Sequence, residues 1–407
     1  MPAAQLAFFE DGPAYAGSIS DELRGFSFNG ESTVERSWQG VPFFFNEFWT
    51  AGQRQGHSLH EVSYRACFKP QLPEFFIARL TQPGDAVYDP FMGRGTTLVQ
   101  AALMGRRPIG NDINPLSTLM ARPRVSPPSI GDVDTRLSLI PWDRPTEIPE
   151  ELLVFYHQDT LAEISALRAY LLDRERAGTI DAIDDWIRMV AINRLTGHSP
   201  GFFSVYSMPP NQAVSVAAQR KINEKRGQTP PQRRIDAIIA KKTRALLKDG
   251  QPEAGLQGEY YSAPSDATLA IPTGSVKLVV TSPPFLDIVQ YAADNWLRCW
   301  FAGIDAATIE ISMHRRPEDW TAFVHRTFAE LGRIVAPGGY VAFEVGEVRN
   351  GTIELEKLVL DALSGTPFTP ECVVVNAQEF TKTANCWGVD NNAKGTNSNR
   401  IVLAKRL

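Results

Sequence analysis

Ala86-Val87-Tyr88-Asp89-Pro90-Phe91-Met92-Gly93-Arg94-Gly95-Thr96-Thr97 is the stretch on which the fold turns. The apolar run Ala86-Val87-Tyr88, entered through the turn Pro83-Gly84-Asp85, predicts a short buried strand. Two glycines then allow a sharp loop whose backbone N–H groups can approach a ligand closely. Leu98 to Met104 predicts a helix with Gly105 as its stop, and a second strand, Pro108-Ile109-Gly110, ends at Asn111-Asp112. Strand, glycine loop, helix, strand is the opening unit of a doubly wound α/β fold.

Working outward, Phe75, Phe76, Ile77 and Leu80 recur at helical spacing over residues 72–80. The next strand-like run comes late, at Val276 to Val280, followed by Tyr340 to Val345 after the turn Pro337-Gly338-Gly339, then Cys372 to Asn376 and Arg400 to Leu403. The expected core is therefore a doubly wound mixed sheet interrupted by a largely helical insertion, which opens Pro-rich. A helix is predicted over Glu150 to Arg176, with Leu153, Leu161, Ile164, Leu167 and Leu171 on its apolar face. The first sixty residues, rich in aromatics such as Phe43, Phe44, Phe45, Phe48 and Trp49, suggest an irregular extension packed on the core. The organisation is thus an extension over 1–60, an α/β domain over 61–125 and 256–407, and a helical, basic insertion over 126–255.

Bulk properties bound function loosely. The 407 residues carry a net charge of −5 with a pI near 5.8, so a polyanion partner requires a local basic patch. Cys67, Cys299, Cys372 and Cys386 form no C-x-x-C pair and are expected to be reduced. Residues 1–17 do not resemble a signal peptide and no run is apolar enough to span a bilayer, so a cytoplasmic location is expected. His57 and His60 are spaced H-x-x-H without a matching acid or cysteine set, and no metal is assigned.

The loop pattern is G-x-G-T-T, because Leu98 stands where dinucleotide sites carry a third glycine. Asp112 follows roughly twenty residues on, where an acid holds ribose hydroxyls in nucleoside-binding α/β folds. Asp89, Phe91, Gly93, Gly95, Thr96 and Asp112 are therefore candidate contacts to an adenosine-containing cofactor, with Phe91 suited to cover an adenine or a sulfonium. Alone, these residues leave an NAD site open.

Thr281-Ser282-Pro283-Pro284-Phe285 follows the run Val276 to Val280, at the strand end where open α/β sheets put their chemistry. Two prolines donate no backbone hydrogen bond and hold the chain extended, which makes the segment a rigid acceptor. Such an acceptor suits an aryl amine, whose lone pair is delocalised until its two N–H bonds are held. Ser282 and the Pro283 carbonyl would accept them while Phe285 stacks on the ring. Attack on cytosine C5 would need a cysteine nucleophile, usually after proline, and the four cysteines follow Ala66, Arg298, Glu371 and Asn385. Ser207-Met208-Pro209-Pro210-Asn211 is a decoy, since no buried strand precedes it and Asn211 replaces the aromatic.

Together these motifs resemble the amino-group DNA methyltransferases of bacteria, which make N4-methylcytosine or N6-methyladenine. The resemblance covers much of 63–114 and from 260 to the end, and implies the S-adenosyl-L-methionine-dependent methyltransferase fold with that molecule as cofactor. Asp89 to Thr97 looks like the family's cofactor loop, Asp112 like its ribose-binding acid, and Ser282 to Phe285 like its catalytic tetrapeptide. Asp266 with Ala267 resembles the pair that contacts the cofactor's adenine, and Phe68-Lys69-Pro70 the motif that covers its methionine end. Tetrapeptides beginning with serine go mainly with cytosine in that family. The implied reaction is therefore methylation of cytosine N4 in double-stranded DNA, with adenine N6 as the alternative and a cognate restriction enzyme as a further implied partner. Competing expectations are an RNA or polypeptide-amide methyltransferase and a DNA-binding regulator without activity.

A base amine inside a duplex is reached only by extruding the nucleotide, which calls for a basic surface. Arg220, Lys221, Lys225, Arg226, Arg233 and Arg234 are the candidate phosphate contacts, and His198 and Asn211 are candidate readers of base edges. In this chain the basic insertion lies before Asp266 rather than directly before Ser282, a departure from the family's order.

Overall fold

Alternation along the central strands sets the architecture. Val87, Leu278 and Val280 turn to one face of a sheet, Tyr88 and Val279 to the other, and all five are fully buried. Both faces therefore need helical cover. The computed structural model describes residues 18–50, 56–64, 67–208, 212–286, 291–309, 311, 313–348, 352–378 and 397–407.

Helix α1 (Ile19–Gly25), the small hairpin β1 (Ser27–Phe28) and β2 (Glu31–Ser32), and a larger hairpin, β3 (Val34–Trp38) and β4 (Val41–Asn46), come first. The α/β unit follows as α2 (Gln71–Leu80), β5 (Ala86–Asp89), α3 (Thr96–Leu103), β6 (Arg107–Asn111) and α4 (Leu116–Val125). Five helices form the insertion: α5 (Ile130–Leu139), α6 (Gln158–Arg176), α7 (Ala182–Ile192), α8 (Val216–Arg226) and α9 (Ile235–Leu246). The sheet resumes with β7 (Glu259–Tyr261) and β8 (Val276–Thr281), then α10 (Tyr291–Ala302), α11 (Pro317–Ile334) and β9 (Val335–Val345). A short hairpin, β10 (Glu347–Val348) and β11 (Ile353–Glu354), leads to α12 (Leu355–Ala362), β12 (Phe368–Gln378) and β13 (Asn397–Arg406). No described helix is long and apolar enough to cross a membrane.

Nine strands form one mixed sheet in the order β3-β4-β12-β13-β9-β8-β5-β6-β7, with β3 and β13 running against the rest. From β5 the chain winds outward through β6 to β7, then returns to β8 on the other side of β5 and continues to β9. The strand order reverses between β5 and β8, and such a reversal opens a crevice beyond the carboxyl ends of the two strands. Asp89 ends β5 and Thr281 ends β8, so the two predicted motifs flank that crevice. Leu23, Phe75, Phe76 and Ile77 from α1 and α2 seal one face of the sheet, while Trp320, Phe328, Leu331 and Val359 from α11 and α12 seal the other.

Three features differ from the sequence expectation. The N-terminal aromatic segment is not irregular: β4 pairs in parallel with β12, from Phe43↔Val373 to Asn46↔Asn376, and extends the sheet. Asn376 fixes the exit from β4 by accepting the Phe48 N–H at 2.7 Å and the Trp49 N–H at 3.2 Å. The helix expected from Glu150 is broken, with a 3₁₀ turn over Glu150–Val154 before α6. Buried Tyr156, whose hydroxyl donates to the Leu195 carbonyl at 2.9 Å, turns the chain there, and His157 caps α6 by accepting from the Asp159 N–H. Finally, the insertion has no core of its own. Trp186, Val190 and Ile239 share one apolar cluster with Val99 of α3, Met120 of α4 and Leu297 of α10.

Candidate active site

Asp89 is 1% exposed, and its carboxylate bridges the crevice. It accepts from Thr281 Oγ1 at 2.5 Å and from the Phe91 N–H at 3.0 Å, while Thr97 Oγ1 donates to the Val280 carbonyl at 3.0 Å. These bonds lock the glycine loop to the strand that carries Ser282. Burial pushes the Asp89 carboxyl up to about 7, against the pull of the Thr281, Phe91 and Thr97 donors. Burial displaces Asp112 and Glu344 upward too.

A carboxyl that holds its proton more tightly folded than unfolded contributes stability that is complete below its unfolded pKa of 3.8 and lost as pH rises to about 7. Asp89→Asn is expected to remove part of that loss. Thermal unfolding at a series of pH values across this window should show the variant's midpoint falling less than the wild-type midpoint, and an equal or steeper fall would contradict the assignment.

Gly93 and Gly95 both take positive φ, 47° and 78°, and a Cβ on Gly95 would sit 2.5 Å from the Ala121 Cβ. The loop therefore requires glycine at both positions. Asp112 accepts the Gly93 N–H and the Asn114 N–H, each at 2.9 Å, so one carboxylate shapes the loop and the start of the next segment. Asn111 joins the loop to the turn after β7: its Nδ2 donates to the Ala263 carbonyl at 2.9 Å and the Pro90 carbonyl at 3.3 Å, and its Oδ1 accepts the Ala263 N–H at 3.0 Å. Asp266 on that turn pairs with Arg326 at 3.0 Å.

A cavity of about 450 Å³ opens among these residues, a volume suited to a small molecule. Asp89, Phe91, Gly93, Thr96, Asp112, Asp266, Ser282, Pro283, Pro284 and Phe285 all line it. Lys69, Gly95 and Ala267, expected as cofactor contacts, do not. Phe68 lines the wall beside Lys69, Gly95 is turned toward Ala121 at the start of α3, and Ala267 closes a backbone turn by donating to the Pro264 carbonyl.

The two prolines do not leave every carbonyl to the cavity, because Trp320 Nε1 donates to the Pro284 carbonyl at 2.8 Å. Phe285 packs over Gly346, where a Cβ would lie 2.8 Å from the ring. The motif reading missed Glu344 and Asn399, both on the cavity wall. Glu344 is buried on β9 and accepts from Asn399 Nδ2 at 2.9 Å. An acid inside the apolar run Tyr340 to Val345 is the only sequence signal for it.

The cavity fits an adenosine-containing cation: buried Asp89 and half-buried Asp112 flank the glycine backbone, and Phe91, tilted against Phe323 with centroids 5.7 Å apart, lies on the wall. On α8, Arg220, Lys221, Lys225 and Arg226 are exposed and enter no ion pair among the described residues, with Arg226 lying 3.8 Å over the Tyr206 ring. The rest of the basic run is largely committed. Arg234 pairs with Asp236, Lys242 and Lys248 with Glu61, and Arg244 with Asp134, while Arg233 is half-buried. Exposed His198 packs by Phe202, and Asn211 lies outside the described residues. His57 and His60 turn to different partners, the Asp249 carbonyl and Gln100.

A family model described as DNA methylase, covering N6 and N4 methyltransferases, matches residues 27–119. The Type II methyltransferase M.MjaII of Methanocaldococcus jannaschii is 49% identical over 65 residues, 16% of this chain and 12% of that protein. The Type II methyltransferase M.MvaI of Kocuria varians is 33% identical over 98 residues, 23% of this chain and 20% of that one. The matched segments span between 12% and 27% of the curated relatives' own length. Among solved structures, TrmN from Thermus thermophilus aligns over 84% of this chain and 50% of its own at 12% identity and a TM-score of 0.32. Geranyl diphosphate C-methyltransferase from Streptomyces coelicolor A3(2) aligns over 84% and 79% at 10% identity and a TM-score of 0.33. Residues 27–119 are therefore similar to the amino-group DNA methylases.

Proposed function

We propose that the protein transfers a methyl group from S-adenosyl-L-methionine to the exocyclic N4 amine of a cytosine extruded from double-stranded DNA. The observation that carries this reading is the convergence of Ser282-Pro283-Pro284-Phe285 and the Asp89–Asp112 loop on one cavity. The cofactor supplies a methyl group on a cationic sulfur, which Asp89, Phe91, Gly93, Thr96, Asp112 and Asp266 would hold. Ser282 Oγ and the Pro283 carbonyl accept the two N–H bonds of the amine, so its lone pair leaves the ring and points at the methyl carbon. Phe285 stacks on the base and helps keep it out of the duplex.

In this reading residues 61–125 and 256–407 form the catalytic domain and 126–255 recognise DNA, with Arg220, Lys221, Lys225 and Arg226 on phosphates. Arg233 and Arg234 are further candidate phosphate contacts, and His198 and Asn211 candidate readers of base edges. Preference for cytosine over adenine rests on Ser282 and the family resemblance. Digesting methylated duplex DNA to nucleosides and identifying the product by mass is expected to give N4-methylcytosine; N6-methyladenine would keep the amine chemistry and overturn the base.

A further inference from the structure

Arg94 stands between the two glycines of the loop, yet it does not line the cavity that Gly93 and Thr96 line. Its side chain runs instead to backbone carbonyls of a stretch some thirty residues earlier. Nη1 donates to the Val62 carbonyl at 2.7 Å and the His60 carbonyl at 3.5 Å, Nη2 to the Phe68 carbonyl at 3.3 Å, and Nε to Thr96 Oγ1 at 3.1 Å. These bonds occupy most of the donors in the guanidinium fork. The same stretch is gripped from two further helices. Arg124, fully buried on α4, donates to the Leu59 carbonyl at 3.1 Å and to the carbonyl of Arg94 itself, and buried Arg298 on α10 donates to the Ser63 carbonyl at 3.0 Å. Every bond that crosses to the stretch ends on a backbone carbonyl, so what is fixed is the path of its chain.

What that path holds in place is a wall, since Tyr64, Cys67 and Phe68 line the cavity. The neighbouring strands β8-β5-β6-β7 lay out the remainder in order: Ser282 after β8, the glycine loop after β5, Asp112 after β6 and Asp266 after β7. A nucleoside held by Asp112 and Asp266 therefore lies beyond β6 and β7, and its 5′ substituent extends toward β5, where Arg94 has tied the stretch that bears Tyr64 and Phe68. We infer that Arg94 is a positioning residue for the amino-acid end of S-adenosyl-L-methionine: it touches no part of the cofactor and acts by latching the Tyr64–Phe68 wall to the glycine loop. This rests on the methyl-donor reading above.

Two neutral thioethers separate the ends of the ligand. S-Adenosylhomocysteine carries the amino-acid end, and 5′-methylthioadenosine keeps the adenosine and the sulfur without it. Arg94→Met retains an aliphatic stem and loses the donors. Its calorimetric affinity for S-adenosylhomocysteine is expected to fall about 10- to 10²-fold, the equivalent of one charged hydrogen bond, with the affinity for 5′-methylthioadenosine unchanged. Arg94→Lys, whose ammonium still reaches a carbonyl, should lose less. Binding of 5′-methylthioadenosine also certifies that a variant is folded, and should Arg94→Met bind neither ligand, Arg94→Lys decides by the same ratio. Equal losses for the two ligands would make Arg94 a support of the whole loop, and no loss for either would leave the latch without effect; both results overturn the inference while leaving the methyl-donor reading intact. A wild-type protein that binds neither thioether would overturn both.

Discussion

Ser282→Ala is expected to lower the proposed methyl transfer to duplex DNA by about 10²- to 10³-fold, the cost of removing one preorganised hydrogen-bonding group from a developing charge, while S-adenosyl-L-methionine binding stays at the wild-type level. The separation of the two effects follows from the fold. Ser282 follows the carboxyl end of β8, whereas the loop that shapes the cofactor side is held by Asp89, Asn111 and Asp112. Losing the Ser282 hydroxyl therefore leaves every one of those loop bonds in place. Phe285→Ala is expected to join it in losing rate without losing cofactor affinity, since the ring rests on Gly346 and not on the loop. Single-turnover transfer beside calorimetry reads both quantities, and full activity in both variants would contradict the assigned acceptor.

Asp112→Ala has the opposite signature: cofactor affinity falls by about 10²-fold or more, because charge-assisted hydrogen bonds are worth roughly 1.5–3 kcal/mol each. The carboxylate accepts the Gly93 and Asn114 N–H groups at 2.9 Å, and in the proposed complex it also takes the ribose hydroxyls. Alanine leaves both amides without their acceptor and relaxes a loop in which Gly93 already holds a φ of 47°. Calorimetric titration of the variant checks this, and an unchanged affinity would remove Asp112 from the cofactor site.

The parts of the molecule legible in the sequence are those whose physics is local. Ala86 to Asp112 announces itself through an apolar run, two glycines and an acid within one strand–helix–strand unit, and Val276 to Phe285 through a strand and two prolines. What escaped depends on partners far along the chain. Phe43-Phe44-Phe45 lacks the alternation that marks a half-buried strand, and becomes one only because β12 lies beside it and Asn376 grips the backbone 328 residues away. Glu344 and Asn399 line the same cavity as Ser282 from neighbouring strands, and no spacing rule connects them. The basic run shows the limit of composition: Arg234, Lys242, Arg244 and Lys248 count toward a cationic patch in the sequence, yet acids from other segments partner most of that charge in the fold. Among the described residues of the run, Arg220, Lys221, Lys225 and Arg226 on α8 and Lys241 on α9 stay exposed without an ion pair.

The central claim is that one cavity brings a methyl donor to the exocyclic amine of a DNA base. Incubating the protein with radiolabelled S-adenosyl-L-methionine and, in parallel, duplex DNA, RNA and polypeptide tests it most directly. Label incorporated into the duplex is the predicted result; label appearing only in RNA or polypeptide, or in none of the three, would contradict it.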